Sequence, residues 1–416
     1  MCAATARLRE MRPVLGPTRG SPRRVAVALA LLTGLAASLP GCAATSAASA
    51  PAAVSIASNP EPLTQPRGVH RELRMLDVTL GNGGRVRLEA ALTRPEGQGP
   101  FPLILFSHGS PRGSDDEARA MAPTRHTAQA VAFARAGYAV VDVMRRGYGR
   151  SEGTRFHAGP CDARDYLRAG RADADDLLGT LRALGSEPSI DGARVVLAGV
   201  SAGGFASISA AAALGSGAGM IRGVLSFAGG RGSNAPDSVC QPDRLVAAFG
   251  SYGATLRVPS LWMYAPNDHY FGPALSRAFA DAYRAGGAPL ELVTVPPFGE
   301  DGHLFFSDGP LDVWWPEVAA FLERVGLPGG PLPASSDHPP LPPPAALRPK
   351  GLIGFETYRA SDGYEKAFAV GQRGAWGSAV GKRSRAEAVA AAVDNCRKHG
   401  DGCVAYAVGD TVVGPG

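Results

Sequence analysis

Apolar and polar residues alternate at Val86, Leu88, Ala90 and Leu92, behind the turn Gly81-Asn82-Gly83-Gly84, and this period of two predicts an antiparallel hairpin. Beyond it the pattern changes. Short uninterrupted apolar runs at 103–106, 139–143, 195–198, 224–227, 261–264 and 290–295 alternate with longer stretches of helical period. Runs without alternation are strands buried on both faces, so the pattern predicts an α/β fold with a mostly parallel sheet flanked by helices. In such a sheet ligands bind outside the carboxyl ends of the strands, and the residues just after each run are the ones to search for chemistry.

Two segments lack this patterning. Residues 43–66 are mainly Ala, Ser and Pro, too poor in apolar surface to fold, and are expected to be a flexible tether. Residues 328–349 include Pro339-Pro340-Leu341-Pro342-Pro343-Pro344 and are expected to be a stiff, extended linker. Between them lies a domain-sized segment, 67–327, and after them a small α+β module, 350–416. Within that module 367–370 and 403–408 read as strands, and Ser384 with Glu387 forms a capping box that starts a helix between them. Trp376 and Tyr364 read either as a surface for an unknown partner or as core aromatics of a very small domain.

The formal charge of the 416-residue chain is +5, and its position decides what it means. Residues 1–24 hold Arg7, Arg9, Arg12, Arg19, Arg23 and Arg24 against Glu10, so 6 − 1 = +5 sits there and the remainder is formally neutral. Nucleic-acid binding is therefore not expected. Arg23 and Arg24 lead into an uncharged apolar run, 25–39, and then into small residues around Cys42, the order of a secretion signal occupying residues 1–42. The run is too short for a good membrane span, so membrane contact is expected only through the signal or a lipid anchor. Leu39-Pro40-Gly41-Cys42 resembles the lipobox of bacterial lipoproteins, which would make Cys42 the lipidated first residue. Pro40 departs from the usual small residue, which leaves plain cleavage after a later Ala, and a periplasmic or secreted product, as the alternative. Met11 is an alternative start.

Cys161, Cys240, Cys396 and Cys403 then remain for an oxidising compartment. Four cysteines allow three pairings. Cys161 with Cys240 and Cys396 with Cys403 are favoured, because each bridge then lies inside one proposed domain. The spacings fit no zinc pattern, and no metal or cofactor is expected.

The chemistry centres on Gly199-Val200-Ser201-Ala202-Gly203, which follows the apolar run 195–198 and opens the Ala-rich helical stretch 205–213. This is a G-x-S-x-G elbow in its required setting of strand, sharp turn and helix. A serine hydroxyl needs a base within hydrogen-bond reach, and the base needs a carboxylate to fix its tautomer. Of the histidines after Ser201, His338 lies in the linker and His399 in the module. His303 lies in the loop after the last apolar run and is the expected base. Asp268, after the penultimate run, is the expected acid, with Asp301 and Glu300 as alternatives too near His303 in sequence to reach its far nitrogen comfortably. The spacings 268 − 201 = 67 and 303 − 268 = 35 leave room for the intervening strand–helix units. Backbone N–H groups of Ala202 and Ser110 are expected to stabilise an oxyanion, the second from the loop Ser107-His108-Gly109-Ser110. His108 is expected to be structural and His269 to form part of a pocket wall, and residues 155–171 are expected to border the pocket.

Taken together, His108-Gly109, the stretch Asp142-Val143-Met144-Arg145-Arg146-Gly147-Tyr148-Gly149-Arg150-Ser151, the elbow, Asn267-Asp268 and Gly302-His303 resemble the dienelactone hydrolase-like branch of the α/β-hydrolase superfamily, over about residues 70–326. The resemblance implies a mostly parallel eight-stranded sheet and catalytic roles for Ser201, Asp268 and His303. Dienelactone hydrolases proper carry Cys where this chain has Ser201, and the serine versions also resemble acyl esterases and prolyl-oligopeptidase-type peptidases. The expected activity is hydrolysis of a small-molecule carboxylic ester, with a peptidase or amidase on the same residues, or a non-catalytic binding lipoprotein, as the alternatives. The final module resembles a small cysteine-bearing module of unknown function in exported bacterial proteins.

Overall fold

The computed structural model describes residues 62–215, 219–333, 339–361 and 363–414. The expected signal peptide, the expected lipidation at Cys42 and most of the expected tether lie outside the described residues. β1 (Val69–Thr79) and β2 (Arg85–Pro95) form the predicted hairpin, paired from Val69 opposite Pro95 to Thr79 opposite Arg85. Then follow β3 (Phe101–Ser107), α1 (Asp115–Ala120), α2 (Thr127–Arg135), β4 (Ala139–Val143), α3 (Tyr166–Leu184), β5 (Ile190–Val200), α4 (Ala202–Leu214) and β6 (Ile221–Phe227). A short hairpin, β7 (Ser233–Ala235) and β8 (Ser238–Val239), precedes α5 (Pro242–Thr255), β9 (Ser260–Tyr264), α6 (Pro273–Ala285), β10 (Leu290–Thr294), α7 (Phe305–Asp308) and α8 (Trp315–Arg324).

The main sheet has eight strands in the order β1-β2-β4-β3-β5-β6-β9-β10. Pairing is antiparallel for β1 with β2 and β2 with β4, and parallel from β4 to β10. The central strands account for the unbroken apolar runs: Ile104, Leu105, Val196, Leu197, Val224 and Leu225 are fully buried, because helices cover both faces. α4 is apolar around its whole circumference and buried along nearly its whole length, as expected of a helix enclosed on every side. Among the described residues no helix is long and apolar enough to cross a membrane.

The final module begins with α9 (Pro349–Ala360), an element without a clear signal in the sequence, because its apolar positions fall on no single face. β11 (Ala367–Val370), β12 (Trp376–Ala379), α10 (Arg385–Arg397), β13 (Val404–Val408) and β14 (Thr411–Val412) complete it, with the strands in the order β12-β11-β13-β14. α10 starts at the expected cap, the Ser384 hydroxyl accepting from the Glu387 N–H at 3.0 Å. Its Ala388, Ala392 and Cys396 pack on Ala367 and Ala369, while Phe355 and Tyr358 of α9 pack with Phe368 on the other face. Cys396 is bonded to Cys403, and Cys161 to Cys240, the expected pairings. Both module aromatics pack: Trp376 stacks on Phe368 with centroids 5.6 Å apart, and Tyr364 lies against Val69, Val131 and Ala134 of the main-sheet body.

The module is docked, not dangling, and the described residues form one compact unit. Part of the Pro-rich stretch is core: Leu341 is buried in the module, and the Pro342 carbonyl accepts from the Tyr406 hydroxyl. The end of the expected tether is packed as well, with Leu63 buried and the Thr64 N–H donating to Glu365 at 2.9 Å. Two reciprocal ion pairs cross the junction. Arg71 of β1 grips Glu365 of the module at 2.9 and 3.2 Å, and Arg383 of the module grips Glu89 of β2 at 2.5 and 2.9 Å. Both pairs are bidentate and almost wholly buried.

Removing one partner of such a pair strands the other charge in a dry interface. Arg383→Ala is expected to cost about 3–5 kcal/mol in urea denaturation. The Glu89→Ala/Arg383→Ala double variant should lose less than the sum of the two single losses, and strict additivity would mean that the pair does not couple the module to the body.

Candidate active site

The join between β5 and α4 fixes Ser201. It has φ 55° and ψ −123°, a conformation that a residue with a side chain keeps only when its surroundings hold it there. Two glycines allow those surroundings to close in. A Cβ at Gly199 would stand 2.4 Å from the backbone of Gly203, and one at Gly203 only 1.8 Å from the carbonyl oxygen of Ser107 at the end of β3. The turn is tied to β6 by the Ser201 N–H, which donates to the Phe227 carbonyl at 2.9 Å. Ser201 is left 9% exposed, on the wall of a cleft.

His303 sits on a single 3-10 turn, Gly302–Leu304, beyond β10. Asp301 caps that turn, its Oδ1 accepting the N–H groups of both His303 and His269 at 3.0 Å. Asp301 therefore serves the backbone, and Glu300 is exposed. Asp268, just past β9, is the carboxylate that meets the imidazole: Nδ1 of His303 lies 3.0 Å from Oδ2 and 3.2 Å from Oδ1. The Asp268 Oδ1 also accepts from the N–H groups of Tyr270 and Phe271, at 2.6 and 2.8 Å, so the carboxylate is held from behind. With Nδ1 donating to Asp268, Nε2 is the nitrogen left for the cleft, which His303 and Ser201 both line. No hydrogen bond joins Ser201 to this ring among the described residues; contacts of this kind often tighten only when substrate enters.

A stack that the sequence did not announce fixes the plane of the imidazole. Tyr270 lies parallel to His303, centroids 3.8 Å apart and planes 13° apart. The Arg112 guanidinium covers the other face of Tyr270, 3.4 Å from its centroid, and bonds the Ser233 hydroxyl and the His269 carbonyl. The nearness of Tyr270 to Asp268 in sequence was the one available hint.

The other expected residues fall as follows. Ala202 is the first residue of α4, so its N–H is among the amides that a helix leaves unpaired. Ser110 borders Ser201 in the cleft, and its hydroxyl meets that of Tyr148 at 2.6 Å. Gly109 lets that loop come close: a Cβ there would lie 3.3 Å from the Cβ of Ser201. His108 is buried, and burial together with the neighbouring Arg145 cation holds its pKa well below the usual histidine range. Neutral, it accepts the Arg145 N–H at Nε2 and ties two loops together. His269 does not line the cleft; its imidazole pairs with Asp237 at 2.9 Å, which raises its pKa.

The cleft has two arms that meet at Ser201. The smaller, about 160 Å³, runs past Ala202 to Arg112, Arg155, Arg164 and Arg231. Its outer wall comes from the segment expected to border the pocket, which the Cys161–Cys240 bridge fastens to the start of α5. The larger arm, about 460 Å³, contains His303 and is bounded by Pro111, Met121, Tyr270 and, from the final module, Val380, Gly381 and Lys382. Nothing in the local sequence of the module signalled that approach.

The family whose sequence model matches the chain is X-Pro dipeptidyl-peptidase (S15 family), over residues 82–221, which contain Ser201 but neither Asp268 nor His303. No curated protein matches. Among solved structures the chain is similar to a dienelactone hydrolase-like promiscuous phosphotriesterase from metagenomic libraries, at 16% identity and TM-score 0.41, covering 64% of this chain and 91% of that one. It is similar to a puromycin-hydrolysing peptidase of Mycobacterium tuberculosis, at 22% identity and TM-score 0.42, covering 64% of this chain and 42% of that one. It is also similar to dipeptidyl peptidase 4 of Porphyromonas gingivalis, at 18% identity and TM-score 0.44, covering 62% of this chain and 36% of that one. The chain thus spans less than half the length of either peptidase. The chain has an α/β fold with a mostly parallel eight-stranded sheet and a docked C-terminal module, and it brings Ser201 and His303, the latter bonded to Asp268, onto one cleft.

Proposed function

We propose that this serine hydrolase cleaves carboxylic esters through an acyl-enzyme formed on Ser201, in an exported protein. The observation that carries the reading is the convergence on one cleft of a strained, accessible Ser201 and a His303 whose far nitrogen is held by the buried Asp268. In the acylation step the Ser201 oxygen attacks the ester carbonyl while Nε2 of His303 takes the hydroxyl proton. The C–O bond to the alcohol breaks, and the imidazolium returns that proton to the departing oxygen. Asp268 keeps Nδ1 protonated and stabilises the transient imidazolium. The N–H groups of Ala202 and Ser110 receive the developing oxyanion, a contribution of about 3 kcal/mol per donor. Water, deprotonated by the same imidazole, then releases the acid. Export is supported by two disulfides, which persist in oxidising compartments.

A peptidase reading has one observation in its favour, the match of residues 82–221 to the S15 family. The two share every step, so substrate decides between them. Kinetics on p-nitrophenyl acetate and on aminoacyl anilides are expected to favour the ester; a higher kcat/KM on an anilide would reverse the assignment.

A fluorophosphonate probe is expected to label the wild type and not Ser201→Ala. Equal absence of labelling would favour a binding protein on a hydrolase scaffold. Asp268→Asn should lower kcat by about 10⁴-fold with little change in KM, because the amide favours the wrong imidazole tautomer. A change confined to KM would remove Asp268 from the mechanism.

A further inference from the structure

The final module supplies part of the wall of the cleft, and its position there is fixed by the backbone. The Thr124 hydroxyl meets the carbonyls of Gly381 and Lys382 at 3.1 and 2.7 Å, and the Lys382 N–H donates to the Glu365 carbonyl at 3.2 Å. Gly381 has φ +67°, and a Cβ there would lie 3.0 Å from the Cα of Arg125, so glycine lets the two loops touch. The Lys382 side chain takes no part in this attachment. Its ammonium forms no ion pair with a described residue, whereas the neighbouring cation on the same wall, Arg125, is paired with Asp308. Among the described residues no carboxylate lines this arm.

The position of His303 says which half of an ester belongs there. An imidazole that must return a proton to the leaving oxygen has to stand on the leaving-group side of Ser201. His303 lines the larger arm, so that arm takes the alcohol, and the smaller arm takes the acyl group. Apolar Val200, Pro111, Met121 and Ala122 line the larger arm together with Ser201 and Lys382. Resting on the esterase reading above, we infer that the C-terminal module is part of the substrate site, and that Lys382 receives an anionic group carried by the alcohol or phenol leaving group.

The test compares two acetyl esters of one phenol, 4-acetoxybenzoate and 4-acetoxybenzamide, which differ in charge at the far end. The ratio of their kcat/KM values is expected to favour the carboxylate in the wild type and to fall about fivefold in Lys382→Ala, mainly through KM, as for the loss of one partly screened ion pair. Lys382→Arg should keep the preference and Lys382→Glu should invert it. Lys350→Ala, which removes the same charge from an exposed position of the module outside this arm, should leave the ratio where it was. Turnover of both esters with a ratio unmoved by Lys382→Ala, or moved equally by Lys350→Ala, overturns the assignment of Lys382 and leaves the esterase reading intact. Failure of the wild type to hydrolyse either ester overturns both.

Discussion

The approach of α4 to the end of β3 is the constraint on which the site depends. Ser107, Ser201 and Gly203 come from three neighbouring segments, and the space between the Ser107 carbonyl and the Gly203 Cα is smaller than a methyl group requires. Because that gap is closed, Ser201 is held at positive φ with its hydroxyl facing out of the turn. Because β5 is the strand at the middle of the sheet, the loops after β3, β6, β9 and β10 can all gather around it. The placement of Ala202, Ser110, Asp268 and His303 about Ser201 is in this sense a consequence of one tight join. The backbone strain there, of order 1–3 kcal/mol, is offset by the fully buried strands on either side.

A second constraint operates at the other edge of the cleft. The module contributes Glu365 to an arginine of the body and takes Glu89 of the body onto its own Arg383, so each side supplies one cation and one anion. Such a reciprocal pair of bidentate contacts specifies orientation more than it adds stability, since desolvation consumes most of the Coulombic gain. Orientation is what the cleft needs from it. Gly381 and Lys382 lie within a few residues of Arg383, and a small rotation of the module about its contacts would withdraw them from the wall.

The main sheet was legible in the sequence because its strands are buried on both faces and so lack polar interruptions; each predicted run, from 103–106 to 290–295, lies almost wholly within an observed strand. Ser201, Asp268 and His303 were legible because their positions follow from strand order alone. The packing of the module was not. Arg71, Glu89, Glu365 and Arg383 look in sequence like ordinary surface charges, and only a contact between residues 294 positions apart turns them into buried pairs. Proline-rich composition likewise misstated residues 339–349: proline stiffens a segment but does not keep it from packing, and Leu341 packs. The aromatics Trp376 and Tyr364 were ambiguous for the same reason, since a half-buried ring has the same letter whether it faces a partner or its own core.

The stack of Arg112, Tyr270 and His303 joins these observations. An imidazole bonded only at Nδ1 can still rotate about that bond, and rotation would swing Nε2 away from Ser201. Tyr270 prevents this by covering one face of the ring, and Arg112 holds Tyr270 from behind while bonded to β7 and to the backbone of His269. Tyr270 is itself placed by the N–H that it donates to Asp268. The carboxylate thus acts on the imidazole twice, through the hydrogen bond to Nδ1 and through the aromatic plate that its other contact positions, and that plate lines both arms of the cleft.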